Sequence, residues 1–352
     1  MKKILALVLS VMLLFSLCAC GGNDGKITIN VYNWGEYIAN GDDGTLDVIR
    51  EFEKATGINV NYTTYATNEE MYAKIKNGAG DYDVIIPSDY MISRMIEEGM
   101  LEKLDYTNIP NYELIMDDYK SASYDPTGEY SVPYAWGVVG VIYNKDKVTK
   151  TVDSWEILWD EDYAGKILMF NNSRDAFAIA LQRLGYSINT TDLTQIDEAA
   201  KLLNEQKKVR QSLVMDEIFD LIGNGTSWIA PYYAGDALTI MSEHDNIGFA
   251  IPKEGVNRFV DAMCIPKGSA HKAEAEMFIN FMCQTDIVLA NSEMTGYSVP
   301  QEEAYEQLPD EVKNNEYAYP SKEVLENTEE FAHLPKNVLE HIQDLWIEIQ
   351  FS

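Results

Sequence analysis

Positive charge, cysteine and histidine are all scarce in this chain. Its 352 residues carry 27 Lys and Arg against 57 Asp and Glu, for a formal net charge of -30 at pH 7. A field of that sign repels nucleic acid and anionic lipid surfaces and gathers cations; solubility alone is the plainer reading of the same acidity. Four cysteines exclude a disulfide-rich scaffold, and their spacing matches no zinc site. Cys264 and Cys283 sit in apolar company (DAMCIP and FINFMCQ), so two buried free thiols are expected. The four histidines, His244, His271, His333 and His341, fall in helical or polar-turn settings. No nucleophile elbow, phosphate loop or metal-ligand spacing is present, so no catalytic residue, metal or cofactor is expected. Internal repeats and low-complexity segments are absent too.

Long apolar runs are also missing, with one exception at the start. Lys2 and Lys3 precede an apolar stretch from Ile4 to Leu17, and Leu17-Cys18-Ala19-Cys20 has the small-residue spacing of a lipoprotein cleavage site. A stretch of 14 residues is short for a spanning helix, which needs about 20. Residues 1–19 are therefore expected to be a lipoprotein signal peptide, with Cys20 the lipidated first residue and 20–26 a polar tether. This places the mature protein outside the cytoplasm, in membrane contact through the Cys20 lipid. Removing residues 1–19 takes away two lysines and no acid, moving the formal charge from -30 to -32.

The mature chain is long enough for two lobes. Residues 27–31 alternate apolar and polar, Leu46, Ile49 and Phe52 recur at helical spacing, and Thr56-Gly57 ends that helix. A second strand over 58–62, a helix opened by Thr67 and Glu70 as a capping box, and an apolar strand over 83–87 complete a βαβαβ unit with a parallel sheet. A second unit contains strands over 138–143, 167–170 and 227–231 and a helix over 175–184 that Ser173 can cap. Strands over 247–251 and 259–265 follow. The tail is helical, with Val338, Ile342, Leu345 and Ile349 on one face. The expected fold is α/β, with residues 27–135 plus 256–300 as lobe 1 and 136–255 plus 301–352 as lobe 2. Crossovers are expected near 136–141 and 258–264. Two such lobes behind an export signal suggest a solute-binding protein.

Ligands of open α/β sheets bind beyond the carboxyl ends of strands. The first strand there runs into Trp34-Gly35-Glu36-Tyr37, an indole, a carboxylate and a phenol that suit an alkylammonium ion. Taken alone, Trp34 reads more readily as a core anchor. The third strand ends in Ser88-Asp89-Tyr90, where Asp89 also fits ordinary helix capping. Later loops repeat the pairing of carboxylates with aromatics: Asn172 and Asp175, Tyr233 and Asp236, Phe259 and Asp261, then Tyr297. Each is weak singly; what lifts them is their recurrence at strand ends.

At these residues the sequence resembles the spermidine/putrescine-binding proteins of polyamine ABC importers. The matching stretches are 32–37 (YNWGEY), 55–58 (ATGI), 65–74 (YATNEEMYAK), 82–88 (YDVIIPS), 131–134 (SVPY), 136–137 (WG), 184–187 (LGYS), 252–255 (PKEG) and 295–297 (TGY), in order along most of the mature chain. The resemblance implies a type II periplasmic-binding-protein-like fold, two α/β lobes joined by crossover strands with the ligand cleft between them. It implies that Trp34 and Tyr37 wall the cleft, that Glu36 faces an amino group, and that Ser88 and Tyr90 contact ligand from the same lobe. Across the cleft Asp175 would bind a terminal amine beside Asn172. Asp236 matches a carboxylate of the putrescine-preferring branch, Asp261 would be the central amine-binding carboxylate, and Tyr297 would close that side. Tyr233 and Phe259 stand where the family has tryptophans, and Asn172 replaces an aspartate. A glutamine of the family has no clear match around 330–334. The implied partners are putrescine or spermidine and an ABC permease in the membrane, with no nucleic acid, and the protein acting as a monomer.

Two rival functions are weighed against this. An extracellular hydrolase would use two of the many carboxylates, and the same fold holding another solute would present other chemistry. Ferric iron wants converging tyrosines or histidines, and a sugar wants more Asn, Gln and Arg than these loops carry.

Overall fold

The computed structural model describes residues 26–78, 81–120 and 122–351. The expected signal peptide and Cys20 lie outside the described residues. The chain enters as β1 (Thr28–Trp34), crosses through α1 (Val48–Thr56) to β2 (Asn59–Tyr65), and returns through α2 (Asn68–Lys76) to β3 (Val84–Ile85) and α3 (Asp89–Glu97). β1 lies between the other two and runs parallel to both, from Thr28 opposite Asn59 to Trp34 opposite Tyr65, and with Val31 opposite Val84. The local chemistry fixes these helices. The Asp47 side chain accepts from the backbone of Arg50 at the start of α1, and Gly57 ends it at φ 75°, where only glycine is unstrained. At α2 the Thr67 hydroxyl accepts from Glu70 N while Glu70 reaches back to Ala66 N.

β4 (Ser131–Asn144) is the longest strand, and all but one of its residues are buried. The second half then adds β5 (Ile167–Phe170), α4 (Ser173–Arg183), α5 (Leu193–Gln206), β6 (Arg210–Val214), α6 (Ile218–Gly223), β7 (Ile229–Tyr233), α7 (Ala234–Glu243) and β8 (Ile247–Ala250). The chain returns on β9 (Val256–Cys264), followed by α8 (Lys272–Met282), α9 (Thr285–Thr295), α10 (Glu302–Gln307), the short β10 (Thr328–Glu329) and α11 (Lys336–Phe351).

Strands β4 and β9 belong to both halves. β4 pairs antiparallel with β9 from Ser131 opposite Cys264 to Val138 opposite Arg258, then with β7 and β8 over its second half. β9 in turn pairs with β3 at Ile85, so the strand order is β2-β1-β3-β9-β4-β7-β5-β6. The fold is thus two α/β halves joined by an antiparallel crossover pair. The carboxyl ends of β1 and β3 face those of β5, β6 and β7 across a crevice.

Helices after β9 divide between the halves. Phe278 and Phe281 of α8 meet Phe52 of α1 edge to face at 5.1 and 5.5 Å, while Trp346 of α11 meets Phe177 of α4 at 6.5 Å. Ala304 and Leu308 pack with Val288 of α9. Cys264 and Cys283 are buried and free, as their apolar settings suggest.

Three local expectations change. The helix expected over 175–184 starts at Ser173, and its cap is Asn172, whose side chain accepts from Arg174 N and Asp175 N; an amide reaches both orphan donors where Ser173 is already helical. The strand β6 was not expected, because an edge strand reading RQSLV has little apolar signal. On the last helix Trp346, not Leu345, completes the buried stripe with Val338, Ile342 and Ile349.

Candidate ligand-binding cleft

A cavity lies in the crevice, floored by β9 and walled from both halves. From the first half it takes Trp34 at the end of β1, Gly35 and Tyr37 of the loop after it, and Ser88 and Tyr90 after β3. From the second it takes Asn172 and Asp175 after β5, Met215 and Asp216 after β6, Tyr233 at the end of β7 and Asp236 after it. Phe259 and Asp261 rise from β9, and Tyr297 and Phe331 close the sides.

Three carboxylates inside it share one arrangement. Tyr37 Oη donates to Asp261 Oδ2 at 2.7 Å, Tyr233 Oη to Asp175 Oδ2 at 2.9 Å, and Tyr297 Oη to Asp236 Oδ2 at 2.9 Å. Asp261 Oδ1 is buried without a partner of good geometry. Burial is the largest cause lifting all three carboxyls above their ordinary range. Asp261 rises to about 6, held down by the hydroxyls of Ser88 and Tyr37. Asp175 rises to about 7, with Tyr233 lowering it, Glu69 raising it and Arg174 lowering it. Asp236 rises to about 8 through its burial, with the Tyr297 hydroxyl lowering it and the negative charges of Asp216, Glu36 and Asp261 raising it further.

The walls are aromatic and continuous. Phe170 stacks on Tyr233 at 4.9 Å, Tyr233 meets Phe259 edge to face at 5.5 Å, Phe259 lies 6.1 Å from Tyr297, and Tyr297 meets Tyr37 at 4.7 Å. This row joins the two halves through their side chains. It depends on Gly235, where a Cβ would stand 2.5 Å from the Tyr297 ring.

Of the residues expected in the site, Trp34, Tyr37, Ser88, Tyr90, Asn172, Asp175, Tyr233, Asp236, Phe259, Asp261 and Tyr297 come together around this cavity. Glu36 does not line it: the residue is exposed, at φ 48°, and acts on Asp236 only as a nearby charge. Asn172 is there, but its Oδ1 is committed to the cap of α4, at 2.9 Å from Arg174 N. Asp89 is buried outside the lining; Tyr90 N bonds its Oδ1 at 2.6 Å, and burial lifts its carboxyl well above the usual range.

Sequence reasoning missed Asn68, Met215, Asp216, Asn257 and Phe331. Asn68 is the organiser of one wall: its Nδ2 donates to Ser88 Oγ and to Tyr90 Oη, both at 3.1 Å, and its Oδ1 accepts from Ser88 N. The signal that locates Asn68 and Asp216 is the strand-end rule itself, since they follow β2 and β6.

A cavity between two α/β halves, built on their shared strands, defines a two-lobed solute-binding protein. The chain belongs to the bacterial extracellular solute-binding protein family, which its residues 47–319 match; it is a substrate-binding protein, not an enzyme. It is 35% identical over 311 residues to the spermidine/putrescine-binding periplasmic protein of Escherichia coli, covering 87% of each chain. Among solved structures it is similar to the spermidine/putrescine ABC transporter substrate-binding protein PotD of Streptococcus pneumoniae, at 33% identity and TM-score 0.77, covering 92% of this chain and 98% of that one. The TpPotD lipoprotein of Treponema pallidum aligns at 29% identity and TM-score 0.80, covering 92% and 100%.

Proposed function

We propose that the cleft captures a polyamine, putrescine or spermidine, and delivers it to a membrane permease of an ABC importer. One observation carries this reading: three enclosed aspartates each receive a single tyrosine hydroxyl and keep acceptor capacity within an aromatic-walled cavity. A polyamine is a flexible chain of ammonium groups spaced by methylenes. It needs carboxylates at intervals for charge-assisted hydrogen bonds and flat walls against the methylenes between them. In this role Asp261 holds the central amine, Asp175 and Asp236 hold amines to either side, and Trp34, Tyr37, Tyr233, Phe259 and Tyr297 cover the carbon chain. Ser88, Tyr90 and Asn172 complete the polar rim. The names of the curated relatives support the same ligand class.

A bound polycation bridges Asp261 of one lobe with Asp175 and Asp236 of the other and draws them into the charged form, so ligand favours the closed form. The lobes, 27–135 with 256–300 and 136–255 with 301–352, would turn about β4 and β9, with residues 302–308 following the first lobe because they pack on α9. A lipid on Cys20 with the tether after it would keep this monomeric receptor beside the permease.

Titration calorimetry with putrescine and with spermidine tests the function. Saturable binding of at least one is expected; no heat from either refutes it.

A further inference from the structure

The two ends of the cleft differ in charge. Near Asp175 stand two opposite charges, Glu69, which accepts from Tyr90 Oη at 3.0 Å, and Arg174, a residue 4% exposed with its guanidinium 4.4 Å from the Phe331 ring and 5.4 Å from the Tyr90 ring. Beside Asp236 the charged neighbours are Asp216 and Glu36. Asp261 acts on both Asp175 and Asp236, so the three share one electrostatic environment. One end of the cavity is thus a carboxylate near a pair of opposite charges, and the other a carboxylate near further acids.

Of those two outer acids only Asp216 lines the cavity. It belongs to the loop after β6 in the second half and reaches the loop after β1 in the first, where a Cβ on Gly35 would lie 2.9 Å from its Oδ2. Glu217 and Glu36 are the like charges acting on it. Closure of the cleft brings these acids together, an arrangement that a cation between them relieves.

We infer that Asp216 receives the outer amine of a ligand longer than a diamine, and so sets selectivity for a triamine over a diamine. The inference rests on the polyamine reading above. A diamine is satisfied by two of the three enclosed aspartates. At the Asp175 end the charges of Glu69 and Arg174 offset one another, whereas the charges acting on Asp216 are acids alone, so the mouth at Asp216 is the end that draws a further amine.

Calorimetric titration of the purified protein and of Asp216→Asn, each with spermidine and with putrescine, tests this. Asp216→Asn is expected to weaken spermidine about fivefold or more and putrescine about twofold or less, as befits a charge at a partly exposed rim. Gly35→Ala is the second variant. Gly35 is not at positive φ, and the atom its Cβ meets is the movable end of a side chain, so the fold is kept while the carboxylate is pushed aside. The same selective loss of spermidine is expected. Equal weakening of both ligands, or of neither, overturns the role of Asp216 and leaves the polyamine reading standing. Putrescine binding without spermidine binding by the unaltered protein also overturns it, and no heat from either ligand overturns both.

Discussion

Asp125 and Asp261 are buried alike, at 1% and 4% exposure, and both attach to the crossover strands. Asp125 accepts from the backbone of Glu129 and Tyr130 and from the hydroxyls of Thr127 and Ser131. Asp261 accepts one well-formed bond, from Tyr37. Other enclosed acids fall on one side or the other. Asp83 takes the backbone N of Asn30 and the Ser269 hydroxyl, and Glu276 takes Asp105 N, Asn108 Nδ2 and the Lys272 ammonium. Asp175 and Asp236, like Asp261, have a tyrosine each. Acids with full shells tie segments of chain together. Asp89 also has a single donor, from Tyr90 N, but it lies outside the cavity lining. Acids with one donor that also line the cavity hold their remaining lone pairs ready for a group that arrives later, and incompleteness at that wall marks the site.

Substitutions at three buried acids put the distinction at risk. Asp261→Asn is expected to weaken polyamine binding about 100-fold or more, because a desolvated charge pair contributes roughly 2–5 kcal/mol, while thermal stability without ligand does not fall. Asp125→Ala is expected to reverse the pattern. It leaves backbone donors without partners and lowers the free energy of unfolding by about 3 kcal/mol, with affinity of the folded protein held within about twofold. Asp89→Asn is the smallest change, within about 0.5 kcal/mol in stability and about twofold in affinity, since burial already favours its neutral form. Urea unfolding and calorimetry read all three; Asp125→Ala losing affinity as deeply as Asp261→Asn would erase the difference between scaffold and site.

A weaker effect follows from pH. The cleft carboxyls stand at about 6, 7 and 8 in the fold against 3.8 ordinarily. The folded state therefore holds protons that the unfolded chain has released. Their contribution to stability is complete below about pH 4 and is lost as pH rises through about 6 to 8. Melting temperatures of the unliganded protein should fall from pH 5 to pH 8, and Asp236→Asn should flatten the upper part of that slope. A slope unchanged in the variant would show that Asp236 does not titrate there.

Much of the site was legible because the ends of strongly patterned strands are easy to find. The apolar strands β3, β5 and β7 carry Ser88, Asn172, Asp175, Tyr233 and Asp236 at or just beyond their ends. Asp216 was hidden because β6 is an edge strand whose residues are mostly half-buried and polar, so no strand end was seen there. Phe331 follows β10, two residues long and held by its partner β9, a pairing no local pattern encodes. Glu36 was misplaced for a third reason. It sits between two residues that do line the cavity, but its left-handed backbone turns it out. Spacing along a loop does not report that rotation.

Proton release on binding probes the incomplete shells most directly. Calorimetry of polyamine binding at pH 7, repeated in buffers of different ionisation enthalpy, counts protons that leave as the ligand enters. With Asp175 at about 7 and Asp236 at about 8, an ammonium drawing both into the charged form should release roughly 1.4 protons per bound ligand at pH 7, and progressively fewer as the pH rises above 8. Saturable binding at pH 7 with a heat independent of the buffer would contradict the claim that these carboxyls wait, partly protonated, for a cation.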